Sequence, residues 1–180
     1  MALTATIYRV SVELADIDRG VYASLDLRLA RHPSESMDYM ATRLLAYCLE
    51  YAEGIEFTEG VSSTDEPAVV IRDLTGRTTA WIEVGMPSSE RLHRGHKLAG
   101  RAALYTHRNI TQVLGELNGR GVHRAADIPV IELDRAFVTA LAESLERRSA
   151  MSLSVTEGHL YVDLDGKHLE SSVVTHRLTP

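Results

Sequence analysis

The sequence predicts a mixed α/β fold in which a partly parallel β-sheet is flanked by helices, with an N-terminal hairpin and a C-terminal β-meander. Three observations carry this. Residues 3 to 29 have strand patterning around a turn at residues 16 to 20; strand-like and helical periodicities alternate from residue 55 to residue 145; and residues 151 to 164 alternate apolar and polar across tight turn signals. The length of 180 residues suits one domain, 1–180, with a continuous core.

Each element has its own signal. Residues 3 to 14 are rich in β-branched and apolar types, and Leu25, Leu27 and Leu29 alternate with Asp26 and Arg28. The apolar phase slips between Ile7 and Tyr8, which predicts a bulge or a strand buried on both faces. Pro33-Ser34-Glu35 is expected to open a helix, because Met37, Met40, Ala41, Leu44, Leu45, Cys48 and Leu49 recur at helical spacing. A short strand at 55 to 58 and a strand pair at 67 to 72 and 78 to 85, joined by Leu74-Thr75-Gly76-Arg77, come next. Helical spacing returns at 88 to 101. Ala102 to Tyr105 reads as a buried strand, Ile110 to Leu117 as a helix ended by Asn118-Gly119, Pro129 to Leu133 as a strand, and Phe137, Leu141 and Leu145 as one helical face. Glu157-Gly158 and Asp165-Gly166 mark the turns of the closing meander.

Composition excludes several classes. A charged fraction of 24% and an apolar fraction of 44% are those of a globular protein. The net charge of −6 repels a polyanion unless positive charge is concentrated locally or a metal supplies it. Cys48 is the single cysteine, so no intrachain disulfide or multi-cysteine zinc site forms, and its apolar helical face marks it as core packing. With no signal-peptide pattern and no run of membrane-spanning length, a cytoplasmic location is expected, with no membrane partner.

The chemistry-bearing stretch is Asp65 to Lys97. Hydrolysis of a phosphodiester needs an activated water and charge stabilisation, which one or two Mg²⁺ or Mn²⁺ ions held by two or three carboxylates supply. Asp65 or Glu66, with Glu83, is such a set. Pro67 biases Glu66 toward extended backbone, and Glu83 lies on an apolar strand beside Trp81, where a carboxylate needs a cation. The alternatives are that Asp65 and Glu66 are solvated turn residues and that Glu83 faces water or pairs with an arginine. Arg91, Arg94, Lys97 and Arg101 fall on one sector of the following helix, and no acidic residue occurs from Arg91 to Arg108. This stripe is either a phosphate site or a solvated cationic face. Glu35 in a first helical turn is explained by the helix dipole alone. His93 and His96, three apart, with His107, are a weak zinc signal. No nucleophile elbow surrounds Ser34, Ser62 or Ser63, and no phosphate-cradling glycine loop is found.

The start Met-Ala-Leu-Thr-Ala-Thr-Ile-Tyr-Arg and the segments Ala30–Ser36, Arg43–Tyr47, Asp65-Glu66-Pro67, Asp73–Gly76 and Trp81–Pro87 resemble the bacterial YaeQ family over most of the chain. That family is similar in fold to the PD-(D/E)XK nuclease superfamily, which implies a restriction-endonuclease-like core. The resemblance implies that Glu83 matches the acid of the Glu-X-Lys element, Glu35 the carboxylate of the first helix, and Asp65 or Glu66 the first metal ligand. Two departures stand out. Ala68 follows Pro67 where the superfamily places its aspartate, and Gly85 stands where its lysine orients the attacking water. The expected substitute is Lys97, with Arg94 and Arg101 holding phosphate. The expected activity is metal-dependent hydrolysis of nucleic acid. The rival is a non-catalytic nucleic-acid or protein adaptor, including an accessory factor in transcription, for which Gly85 is the main argument. A third reading is an oligomerising protein whose basic helix pairs with an acidic surface of another copy.

Overall fold

A computed structural model describes residues 4–59 and 65–180. The start of the first strand at residue 3, and Ser62 and Ser63, lie outside the described residues. In chain order the elements are β1 (Thr6–Asp16), β2 (Val21–Arg31), α1 (Met37–Leu49), β3 (Ile55–Phe57), β4 (Val69–Arg72), β5 (Thr78–Val84), α2 (Ser89–Ala99), β6 (Ala102–Thr106), α3 (Ile110–Leu117), β7 (Pro129–Leu133), α4 (Arg135–Ser144), β8 (Arg148–Thr156), β9 (His159–Leu164) and β10 (Lys167–Arg177). Helix starts follow the expected chemistry. Ser36, Ser88, Asn109 and Asp134 each accept a backbone N–H two or three residues into their helix, a contact that contributes about 1 kcal/mol.

Among the described residues ten strands form one mixed sheet in the order β2-β1-β8-β9-β10-β7-β6-β5-β4-β3. β1 pairs with β8 in parallel, as do β5 with β6 and β6 with β7. β10 joins the two halves: Lys167–Ser172 pairs with β9, and Val173–Arg177 with β7. The sheet wraps, nearly closed, around α1 and α4. Val10, Val12, Leu14, Leu29, Leu153 and Val162 from one half therefore share a core with Leu44, Leu45, Leu141, Ile82 and Val84. The other face of β5, β6 and β7 carries Trp81, Leu104 and Val130 and is covered by Leu92 of α2 and by Val113 and Leu117 of α3, forming a second core.

Three expectations are corrected. The β1–β2 register runs unbroken from Thr6↔Arg31 to Asp16↔Val21, so there is no bulge; Ile7 and Tyr8 are both half-buried, in the part of β1 that pairs with β2 alone, β8 joining from Arg9. α1 begins at Met37 behind its cap Ser36, so Glu35 is not in the first helical turn. α2 stops at Ala99 with Gly100 in the left-handed conformation as its C-cap (φ 78°), so Arg101 lies beyond the helix and does not extend its basic stripe.

Candidate functional site

Alternation along β5 decides which way Glu83 points. Ala80, Ile82 and Val84 face α1, whereas Trp81 and Glu83 face α2. Glu83 is only 2% exposed, so its charge needs a partner inside the protein. Two are present. Arg91, in the first turn of α2, donates Nε–H to Glu83 Oε1 at 2.9 Å, and Trp81 donates its indole N–H to the same oxygen at 2.8 Å. Arg91 also donates through Nη2 to the backbone carbonyl of Glu66, which ties the residues before β4 to α2. Burial raises the Glu83 carboxyl above its ordinary value, and the Arg91 guanidinium works against that rise.

α2 comes close enough to make these contacts because Gly95 lies over the Trp81 ring. A Cβ built on Gly95 would stand 2.3 Å from the indole, so no other residue fits without movement. Gly85 is a second backbone requirement. It sits just past the end of β5 at φ 85°, a region that side chains avoid, and a Cβ there would meet the Tyr39 ring at 3.5 Å.

Tyr39 connects Glu83 to the other sequence-derived carboxylate. Burial first, and then the charge of Glu83, push the Tyr39 phenol up to about 12, with Arg43, Glu35 and Arg91 also acting on it. Glu35 itself is 1% exposed, pairs with Arg43 Nη2 at 2.9 Å and accepts the His32 backbone N–H at 3.2 Å. Burial raises its carboxyl, and Arg43 opposes the rise. Arg43 in turn donates to the Ala30 carbonyl and lies over the Phe57 ring.

The remaining residues of the expected site are dispersed. The Glu66 carboxylate pairs with Arg72 at 3.0 Å on the hairpin, and Asp65 is exposed, 3.8 Å from Arg94. Lys97 is exposed and acts on His123; lost hydration first, and then the neighbours His96, His93, Arg124 and Lys97, hold that imidazole below its ordinary value. Arg101 pairs with Glu50 at the end of α1, where the Tyr105 hydroxyl also donates to Glu50 at 2.7 Å. His93 and His96 each use Nδ1 on the backbone of His123, and His107 is hydrogen-bonded to Thr42 on α1. Among the described residues no three His, Cys, Asp or Glu side chains are gathered as a metal ion requires. As arranged, the donor set does not fit Mg²⁺ or Mn²⁺: each buried carboxylate is already engaged by a guanidinium.

Of the sequence alternatives for Glu83, pairing with an arginine is the one found, and the arginine is Arg91 of the basic stripe; Tyr39 has no role in the sequence analysis. The four-residue spacing of Tyr39 and Arg43 on α1 is the available signal for that residue.

This geometry defines a mixed α/β protein whose central acid is held in an internal ion pair beneath a glycine-packed helix. The model of the YaeQ protein family matches residues 1–173, and the chain belongs to that family. It is 33% identical to the uncharacterized protein YaeQ of Escherichia coli over 172 residues, 94% of each chain, and 32% identical to that of Salmonella typhi over 171 residues. The crystal structure of YaeQ from Xanthomonas axonopodis pv. citri superposes with a TM-score of 0.88 at 29% identity, covering 98% of this chain and 100% of that one. The YaeQ structure from Pseudomonas syringae gives 0.87 at 31% identity, covering 98% and 97%. No helix among the described residues is long and apolar enough to cross a membrane.

Proposed function

We propose that the chain is a cytoplasmic nucleic-acid-binding module, built on a restriction-endonuclease-like core of the PD-(D/E)XK kind, that binds without cleaving. The observation that carries this reading is the state of Glu83. The acid that would anchor a metal is neutralised by Arg91 and bonded by Trp81. A guanidinium at that carboxylate repels a divalent cation, which would have to break the Arg91 bond to Glu83 to reach it. Gly85 adds to this, because a lysine in its place would take up a strained backbone conformation against Tyr39. α2 still presents positive charge outward through Arg94 and Lys97. A module of this kind binds nucleic acid equally well with EDTA, with affinity that falls steeply as salt is raised.

A second reading retains the reaction. In it Glu83, Glu35 and Asp65 or Glu66 bind Mg²⁺ or Mn²⁺, Lys97 serves as the lysine, and a phosphodiester is hydrolysed. The observation favouring it is that Glu83 and Glu35 both act on Tyr39 and so belong to one neighbourhood. Calorimetric titration of Mg²⁺ and Mn²⁺ into wild type and Glu83→Gln decides between them. The binding-module reading expects no heat of binding in either protein. Saturable binding abolished by Glu83→Gln, together with metal-dependent cleavage of DNA or RNA, would replace it with the second.

A further inference from the structure

We infer that the outer face of β2, β1 and β8 holds the phosphodiester backbone of a nucleic acid on a single row of three arginines; the inference takes its partner class from the binding-module reading above. The row is a product of register. Arg9 of β1 stands directly across from Arg28 of β2 on one side and from Arg148 of β8 on the other. These residues are far apart in sequence, and all three side chains are exposed on the polar side of the sheet, with Val10, Leu27 and Ser149 turned inward. Among the described residues no hydrogen bond or ion pair engages any of the three guanidiniums. A fourth, Arg147, is fixed at the same end by its Nε–H to the Ile7 carbonyl at 2.9 Å and by its position over the Tyr8 ring. The row lines a shallow groove of about 320 Å³ that also includes Ser11 and Asp26, whose carboxylate accepts from Ser11 Oγ at 3.2 Å.

Like charges directly opposite one another on neighbouring strands destabilise a sheet. Charge on an exposed edge strand has an ordinary explanation, since it discourages pairing with another chain. That covers Arg28 on the edge strand β2 and Arg148, which lies ahead of the β8–β9 pairing that begins at Met151, but not Arg9, which is paired on both sides. In a chain of net charge −6, three guanidiniums without internal carboxylates form a local positive site for an anionic ligand.

The row calls for a run of anionic groups. With strands about 4.8 Å apart, it spans roughly 10 Å. The flat fork of each guanidinium matches the paired non-bridging oxygens of a phosphodiester, and a nucleic-acid backbone offers such oxygens at every residue, whereas a peptide offers carboxylates only where its sequence places them.

The test is fluorescence anisotropy with labelled single-stranded DNA, single-stranded RNA and duplex DNA in EDTA, over a salt series, using the full chain. In Arg9→Ser/Arg28→Ser/Arg148→Ser the affinity should fall about tenfold or more, and the slope of log affinity against log salt should become shallower by about two. The single variant Arg148→Ser should give roughly a third of that slope change. It keeps the test readable if the triple variant folds poorly. If the arginine variants bind like wild type while Arg94→Ser/Lys97→Ser loses affinity, the row is not the site and the binding-module reading survives. If wild type binds polyglutamate through these arginines but no nucleic acid, the assigned partner is wrong. If wild type binds none of the probes, both the row and the module reading are overturned.

Discussion

The face of β5 covered by α2 and the outer face of β2, β1 and β8 both carry charge, but they treat it in opposite ways. On the first, a cation expected to meet a ligand closes on the protein itself, Arg91 on Glu83, and on the α1 side of the same sheet Arg101 closes on Glu50. On the second, three arginines face one another and, among the described residues, no carboxylate pairs with them. A basic stripe in a sequence therefore does not tell which of its cations stay open: Arg91 is taken up by Glu83, whereas Lys97 stays exposed. What decides is whether the fold brings acids within reach of each.

The strongest way to break this contrast is Arg91→Ala. It leaves Glu83 buried and unpaired, and chemical denaturation should show a loss of about 3 kcal/mol or more. A loss below about 1 kcal/mol would mean that Glu83 is not held by this pair. Next is Gly95→Ala, whose new methyl must displace the Trp81 ring. It is expected to destabilise by about 1 to 3 kcal/mol and to change the indole fluorescence of this single tryptophan.

A pH series sharpens the contrast further. Burial lifts Glu83 and Glu35 above their ordinary 4.5, so the folded chain holds these protons more tightly than the unfolded chain. Their contribution to stability is thus fullest below pH 4.5 and is lost as pH rises through the raised folded values. The Tm of Glu35→Gln relative to wild type should improve as pH climbs across that window; a parallel shift at every pH would remove the titration from the account. The smallest effect is expected on the open face. Arg9→Ser removes a like-charge contact and should leave stability unchanged or raise it by roughly 0.5 kcal/mol, a sign opposite to that of Arg91→Ala.

Much of the fold was legible because its signals are local. The leucines of α1, the Asp16–Gly20 turn and the Glu157-Gly158 and Asp165-Gly166 turns declare themselves within a few residues, and the strand and helix order followed from them. Some boundaries were set by caps that periodicity does not register: Ser36 delays α1 past Glu35, and Gly100 ends α2 before Arg101. The site was harder to read. Glu83 meets Arg91 across a strand-to-helix junction, where neither a period of two nor one of 3.6 applies. The Arg28, Arg9 and Arg148 row depends on a parallel pairing between β1 and β8, and sequence pattern carries no register information across such a separation.

That same pairing constrains how the molecule is made. β1 leaves the ribosome well before β8, the strand that completes its hydrogen bonds, so Arg9 waits for Arg148 while the whole intervening chain is synthesised. At typical elongation rates the nascent hairpin holds an open, apolar-faced margin for on the order of ten seconds, a period in which chaperones or neighbouring chains compete for it.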